Sequence, residues 1–593
     1  MTRPVRLATT TLLLLLAAVL AGSGIARERK HPADKPNAAL TEPASSRFVR
    51  IEPVVARRGM VVTQERQASL IGADILARGG NAIDAAIAVG FALAVTLPKA
   101  GNLGGGGFML VHLAKKNETV AIDYRETAPA ATTADTFLDA DGNADPQKSR
   151  FSALAVGVPG TVAGLTTALA AFGSGHFTLA ELIAPAAKLA REGIPVEGDL
   201  LDSLLLAAPR FQRWPSSTAI FAKADGSPWA AGDRLVQTQL AETLDTIGRE
   251  GPRAFYHGPI ADKIVSAVRG AGGSMTRIDI ESYWPVIRQP VRGSYRGFDI
   301  VSMSPPSSGG VHLIEMLNIL EGFPISSLGF GKPAALHLMI EAMKLAYADR
   351  AEFMGDRDQV EVPVERLISK DYAATLRAGI DPNHARPADT IRPRSSALDG
   401  SGGNTTHYSI VDQYGNAVAN TTSLNFNYGL GLVAGNTGIL LNNTLDDFAA
   451  KPGVPNAFGL IGGAANAPAP RKRPLSSMTP TIVLKDGMPV LVTGAPGGSR
   501  IITTVLEVVI NSIDFNRPIA QAVAAPRVHD QWRPDTVLIE PGVPAATRRA
   551  LEKLGHKITA GPLFGSAHSI AVTPDGIVGA ADGRAEGSLA AGF

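Results

Sequence analysis

The stretch Gly400-Ser401-Gly402-Gly403-Asn404-Thr405-Thr406-His407, running on into Tyr408-Ser409-Ile410-Val411, joins two unlike kinds of sequence without a break. Its first half is glycine with polar residues, which cannot build a packed element, and its second half carries the aromatic and β-branched residues that favour a strand. Gln413-Tyr414-Gly415-Asn416 and Ala417-Val418-Ala419 follow, so a flexible linker ends at the first residue of a hairpin. Cutting the bond between Asn404 and Thr405 would leave Thr405 with a hydroxyl nucleophile and a free α-amine. An ordinary α-amine has a pKa of about 7.7, which suits a general base at neutral pH. A Thr-Thr pair entering a strand is by itself ordinary β-propensity, and the catalytic reading takes its weight from the flanking sequence.

Downstream the text reads as hairpins. Thr481-Ile482-Val483-Leu484 and Val490-Leu491-Val492 flank Asp486-Gly487, and Ser569-Ile570-Ala571-Val572 and Ile577-Val578 flank Asp575-Gly576. Between them, residues 501–513 are apolar on nearly every face, which predicts a helix buried between a sheet and an outer layer. Upstream, from about Phe48 to Ala378, alanine- and leucine-rich helical stretches such as 336–347 alternate with short β-runs such as Phe298-Asp299-Ile300-Val301. The alternation predicts an α/β protein of mixed sheets covered by helices. Prolines and glycines between Gly379 and Asn404 mark a linker that separates the two parts.

Composition bounds the partners. A chain of 593 residues with 45% apolar and 19% charged residues can bury a large core. Its 56 basic and 54 acidic residues leave no field that would draw nucleic acid or an anionic membrane. With no cysteine, a thiol nucleophile, disulfides and thiolate metal sites are excluded. Arg3 and Arg6, an apolar stretch over 7–20 and small residues through Gly22-Ser23-Gly24-Ile25-Ala26 read as a secretory signal over 1–26, cut after Ala26. Residues 27–47 then read as a disordered leader. The apolar stretch over 85–97 stops at Pro98, too short to span a bilayer, and predicts a buried helix.

Four further motifs carry chemistry. Thr493-Gly494-Ala495-Pro496-Gly497-Gly498-Ser499-Arg500 lies where a strand ends and the buried helix begins. Gly497 and Gly498 there are candidates for holding an oxyanion on backbone N–H groups, against a plain turn capped by Ser499. Ser476 and Ser477 enter a strand with adjacent hydroxyls suited to a carboxylate. Asn442-Asn443-Thr444-Leu445-Asp446-Asp447-Phe448 sets acids beside amides, suited to an ammonium or a metal, against a solvated loop. Arg125, in Ile122-Asp123-Tyr124-Arg125-Glu126, offers a bidentate grip on a carboxylate, against a surface ion pair with Glu126 or Asp123. The run Gly101-Asn102-Leu103-Gly104-Gly105-Gly106-Gly107 lacks the residues of a phosphate cradle and reads as close backbone packing or part of a cavity. His407 and His529 stand apart from other histidines, so neither a metal nor a cofactor is suggested.

In order and spacing these motifs, with Pro305-Pro306-Ser307-Ser308-Gly309-Gly310 and Lys472-Arg473-Pro474-Leu475-Ser476-Ser477-Met478, resemble the γ-glutamyltransferases (glutathione hydrolases) from about Val55 to Phe593. The resemblance implies an N-terminal nucleophile αββα sandwich, made by a precursor that cuts itself into a large subunit of 48–404 and a small one of 405–593, which stay together as a heterodimer. It implies Thr405 as nucleophile toward γ-glutamyl amides such as glutathione, Gly497 and Gly498 as oxyanion donors and Ser423 as a hydrogen-bond partner of Thr405. Arg125, Ser476 and Ser477 would take the substrate α-carboxylate, and Asn425, Thr444 and Asp447 its α-amine. Water or an amino acid or peptide would accept the glutamyl group, in the periplasm or outside the cell.

Three positions depart from the family pattern. Ser423 stands where threonine is frequent and keeps the hydroxyl. Thr444 stands where Gln or Glu is common, which weakens the ammonium site, and Phe458 replaces a lid tyrosine and loses its hydrogen bond. The weakened ammonium site keeps a glutaryl or cephalosporin acylase of the same fold as an alternative. An exported amino-acid-binding protein with an inactive enzyme fold is the alternative from another class.

Overall fold

The computed structural model describes residues 49–391 and 405–593; the signal, the leader and Asn404 lie outside the described residues. Strand side chains alternate between two faces. In Gly106–Leu113, Met109 and Val111 face one way and Phe108 and Leu110 the other, and all four are fully buried. Such strands need cover on both sides.

Two seven-stranded sheets provide the inner cover for each other. Their strands in chain order are β1 Val54–Ala56, β2 Met60–Thr63, β3 Gly106–Leu113, β4 Glu118–Asp123, β5 Val286–Arg288, β6 Val291–Tyr295 and β7 Phe298–Ser302. They continue with β8 Thr405–Val411, β9 Ala417–Ser423, β10 Thr481–Lys485, β11 Met488–Thr493, β12 His568–Thr573, β13 Gly576–Ala581 and β14 Leu589–Gly592. One sheet runs β14-β2-β8-β9-β3-β4-β5 and the other β1-β13-β12-β11-β10-β7-β6. Phe108, Leu110, Val62 and Ala419 of the first meet Val301, Ile482, Val492 and Ile570 of the second in a single apolar layer.

The outer faces are covered by helices. Against the first sheet pack α1 Arg66–Ala77 and α2 Ala82–Thr96, and against the second α3 Gly309–Glu321, α4 Pro333–Phe353 and α5 Arg500–Ile513. The order is therefore helix, sheet, sheet, helix. As expected from its composition, α2 is buried along its whole length; Asn81 and Asp84 close a capping box at its start. The helix expected over 501–513 is α5.

Three expectations need correction. Every pairing within the two large sheets is antiparallel, not mixed. A parallel pair needs a long crossover, and it occurs in a small sheet, where Val537–Ile539 pairs with Ile558–Ala560 across the helix Ala545–Lys553. The hairpin after β12 turns at Pro574-Asp575, because Thr573 pairs with Gly576. The expected linker is anchored at three points in residues 379–391: Ile380, Ala388 and Ile391 are buried, and Trp532 donates its indole N–H to the Ala388 carbonyl, while most of the residues between them are exposed.

The turn joining β8 to β9 is tied to α2. The Asp412 carboxylate accepts from the backbone N–H groups of Tyr414 (2.8 Å) and Asn416 (3.0 Å) and from Ala82 at the start of α2 (2.9 Å). Asp412→Ala is expected to lower stability to urea by about 2–3 kcal/mol, and Asp412→Asn by less, since Asn keeps one acceptor. Equal stability of all three proteins would show that the turn does not hold the helix.

Candidate active site

Thr405 begins β8, and antiparallel pairing sets it opposite Ser423, the last residue of β9, which in turn lies opposite Gly106 of β3. The Thr405 hydroxyl donates to the Ser423 hydroxyl at 3.3 Å, and Thr405 is 5% exposed. Ser423 Oγ also accepts from the Asn425 N–H at 2.8 Å. Asn425 sits in the left-handed region (φ 80°), which Asn tolerates, and its amide donates to the Asn443 carbonyl at 3.0 Å. Thr405, Ser423 and Asn425 are thus brought together as expected.

The glycine run beside them is close packing. A Cβ on Gly104 would lie 2.1 Å from the Leu440 carbonyl oxygen, and one on Gly107 2.3 Å from that of Thr421. Side chains there would push strands apart and carry Ser423 with them.

Gly497 and Gly498 lie between β11 and α5 with φ of 133° and 59°, conformations that suit glycine. The competing reading, a turn capped by Ser499, fails in one respect: the Ser499 side chain makes no capping hydrogen bond. The neighbouring Gly494 packs on the His407 ring, whose nitrogens meet Thr421 Oγ1 (2.8 Å) and Ser409 Oγ (3.1 Å). Burial holds that imidazole well below its ordinary pKa, so His407 is a neutral part of the core.

The residues expected to hold a charged head group converge. Arg125 is 1% exposed and is no surface residue. Its guanidinium donates to the Pro474 carbonyl (3.2 Å), to Glu126 (3.5 Å) and closely to Asp447. Asp123, the other expected partner, instead pairs with Arg288 at 2.8 Å. Ser476 Oγ accepts from the Met478 N–H at 3.1 Å and Ser477 Oγ from Arg350 at 3.2 Å. Thr444 is fully buried, and its hydroxyl donates to Asn442 Oδ1 at 2.7 Å. Its proton is therefore already committed, and the solvated-loop reading of this segment does not hold, since Thr444–Asp447 is a short 3-10 turn with Thr444, Leu445 and Asp446 buried.

Glu126 and Arg350 are the residues the sequence reading missed. Glu126 is fully buried, and its Oε1 has no hydrogen-bond partner among the described residues. Arg350 lies in the last turn of an alanine- and leucine-rich helix, 127 positions from Ser477. The available signal was the number of polar and charged residues, His337, Glu341, Lys344, Asp349 and Arg350, spread round a helix that is otherwise alanine-, leucine- and methionine-rich, which marks buried polar contacts.

The expectation of a loose lid at Phe458 also needs qualification. Its ring packs on Phe426 (centroids 6.0 Å apart, 60°), lies over Gly498, and its carbonyl accepts from Gln531 at 3.1 Å. Among the described residues one group has the makings of a metal site, His337, Glu341 and His556. His337 Nδ1 meets His556 Nε2 at 2.7 Å, His337 Nε2 meets the Asp381 carbonyl at 2.8 Å, and the Lys344 ammonium donates to Glu341 at 2.9 Å. With a cation already on Glu341 and both His337 nitrogens engaged, the group is a closed hydrogen-bond network.

The family model described as gamma-glutamyltranspeptidase matches residues 68–592. The chain belongs to the gamma-glutamyltranspeptidase family. It is 49% identical over 580 residues to a glutathione hydrolase proenzyme of Escherichia coli (strain K12), covering 98% of each chain. Its fold is similar to the crystal structure of a cephalosporin acylase from Bacillus halodurans, with a TM-score of 0.79 at 27% identity, covering 95% of this chain and 99% of that one. A Helicobacter pylori gamma-glutamyltranspeptidase structure matches with a TM-score of 0.54 at 47% identity, covering 55% of this chain and 93% of that one. These neighbours and the layers described above give the family's αββα fold.

The buried acid beside Arg125 has a measurable signature. Burial pushes the Glu126 carboxyl up to about 7, against the pull of Arg125. In the unfolded chain it titrates near the ordinary value of about 4.3. Between those values the folded protein holds a proton that the unfolded chain has released, so stability falls as pH rises through that window and the effect is complete above about 7. Glu126→Gln, neutral throughout, is expected to flatten the fall in unfolding free energy between pH 5 and 7.5. An unchanged slope would assign the proton elsewhere.

Proposed function

We propose that this protein is a self-processing γ-glutamyltransferase and glutathione hydrolase with Thr405 as its nucleophile. The observation that carries the reading is the junction of two things: Thr405 at the head of a buried strand with its hydroxyl on Ser423, and a buried charged cluster in which Arg125 pairs with Asp447 and Arg350 holds Ser477 beside Ser476. A nucleophile beside a site with cationic and anionic groups suits a zwitterionic acyl donor.

In the proposed maturation the Thr405 hydroxyl attacks the Asn404 carbonyl, the Asn404–Thr405 amide becomes an ester, and water hydrolyses it. The products are a large subunit ending at Asn404 and a small subunit of 405–593 whose Thr405 amine is free. These stay associated as a heterodimer, exported to the periplasm or beyond after loss of residues 1–26.

In turnover, the Thr405 oxygen attacks the γ-carbonyl of glutathione while the α-amine takes the hydroxyl proton and delivers it to the leaving amine. Gly497 and Gly498 hold the oxyanion. Arg125, Ser476 and Ser477 take the α-carboxylate, and Asn425 and Asp447 the α-ammonium, with Thr444 a weaker partner there than Gln or Glu. Water or an acceptor amine then releases glutamate or a new γ-glutamyl amide.

A second reading, an acylase for glutaryl-type amides, is favoured by one observation: the Thr444 hydroxyl is engaged with Asn442 and offers the ammonium no charge. The Asp447 carboxylate, which an acyl group without an amine has no use for, favours the first.

Two measurements test these readings. Intact mass is expected to give two chains that divide between Asn404 and Thr405, with Thr405→Ala remaining whole; one uncut chain in both would return the binding-protein alternative. Thr444→Gln is expected to lower KM for glutathione about three- to tenfold, as one added hydrogen bond of about 1 kcal/mol does. An unchanged KM would remove Thr444 from amine recognition.

A further inference from the structure

Behind the two serines lies a second arginine. Arg350 projects from α4 and is 4% exposed; its Nε donates to Ser308 Oγ at 3.0 Å and its Nη2 to Ser477 Oγ at 3.2 Å. It forms no ion pair among the described residues. The adjacent Asp349 carboxylate is turned away and accepts from the Tyr372 hydroxyl at 2.7 Å. Burial lowers the Arg350 guanidinium to about 10, so it is still charged at neutral pH. Asp447, whose charge acts on it, is held by Arg125. A buried cation without a paired anion is unfavourable unless an anion arrives.

The hydroxyl geometry says where that anion sits. A serine hydroxyl carries one proton and two acceptor lone pairs. Arg350 fills an acceptor position of Ser477 and the Met478 N–H one of Ser476. Neither hydroxyl donates to any atom among the described residues, so both protons are left to serve a ligand acceptor. Ser308, held by Arg350 from the other side, donates to the Ser476 carbonyl at 2.8 Å and has its own N–H on the same oxygen at 2.9 Å. One guanidinium thus fixes both the orientation of Ser477 and the backbone that carries Ser476.

We propose that Arg350 is a positioning residue for the acyl donor's α-carboxylate: through Ser477 and Ser308 it turns the serine hydroxyls into donors and adds a second buried positive charge, so that the site selects acyl groups bearing that carboxylate. The inference rests on the γ-glutamyl reading above and extends it to a residue that does not itself touch the reacting atoms.

The test compares two donors that differ by the carboxylate alone, L-γ-glutamyl-4-nitroanilide and 4-aminobutyryl-4-nitroanilide, on the processed wild-type enzyme, Arg350→Gln and Arg350→Lys. Failure of the unmutated enzyme to release nitroaniline from the first would sink the γ-glutamyl reading, independently of Arg350. Given that activity, Arg350→Gln is expected to raise KM for the γ-glutamyl donor about 10- to 100-fold with kcat changed less than about threefold, and the preference between donors falls by the same factor. Arg350→Lys keeps the charge without the fork and falls between. Equal losses on both donors, or an unchanged KM, would overturn the proposal. Should Arg350→Gln fail to mature, a crystal structure of the unmutated enzyme with L-glutamate decides: Ser477 Oγ within about 3 Å of the α-carboxylate while still on Arg350 supports it, and a carboxylate bound away from Ser477 overturns it.

Discussion

Everything at the site depends on one register, Thr405 opposite Ser423 opposite Gly106 across three neighbouring strands. A slip of one residue in an antiparallel pair turns every side chain to the other face. Here it would aim the Thr405 hydroxyl away from Ser423 and exchange the helix-facing and sheet-facing sets of β8. The register is held at both ends. Asp412 ties the β8–β9 turn to the start of α2 at one end. At the other, the glycine run lets β3 and the Leu440–Asn442 segment approach more closely than any side chain would allow. The helix layers add a lock along the strand, since the Tyr408 hydroxyl donates to the Ala86 carbonyl inside α2 at 3.0 Å.

On this rigid frame the pocket stores charge that is only partly neutralised. Arg125 and Arg350 bring two cations, and Asp447 brings one anion. Glu126, raised by burial toward neutrality, is a weak counterweight. Burying such groups is unfavourable one at a time, and the structure offsets it by hydrogen bonds that Arg350 donates to Ser308 and Ser477 and Arg125 donates to the Pro474 carbonyl. In the proposed reading, a ligand with a carboxylate and an ammonium would improve the balance at both signs: the carboxylate would meet the excess cations and the ammonium an Asp447 released from Arg125. Binding of a zwitterion there would be coupled to breaking the Arg125–Asp447 pair, which would favour ligands that present both charges at the right spacing over either charge alone.

Much of this was legible in the sequence, and the gaps have physical causes. The junction at Thr405, the buried helix over 501–513 and the buried stretch over 85–97 are local patterns, and they became β8, α5 and α2. Antiparallel order in the large sheets was not legible, because alternating helices and strands say nothing of whether a helix crosses over or returns on the same side. Residues 379–391 look like linker by composition, yet Ala388 and Ile391 fill a hollow beside Trp532, a long-range contact without a local signature. Arg350 was hidden for the same reason: its partner Ser477 is far along the chain, and a charge in a helix's last turn reads as a dipole complement.

The two substitutions at the rim, Thr444 and Phe458, belong to one mechanical unit. Thr444–Asp447 is a single 3-10 turn, and within it Asp446 binds Ser149 and, through its second oxygen, the backbone N–H of Ala457 at 3.3 Å, one residue before Phe458. The turn that presents Asp447 therefore also holds the root of the lid. A tyrosine at the lid would add a polar contact to Asn425, whereas Phe458 relies on its ring against Phe426 and over Gly498. An apolar ring packed beside a charged cluster lowers the local effective dielectric, in which each charge contact strengthens. In the proposed reading, the shorter side chain at Thr444 and the apolar packing at Phe458 would act in opposite directions on ammonium recognition. The first would remove a contact to the ligand, and the second would strengthen the contact to Asp447 that is left.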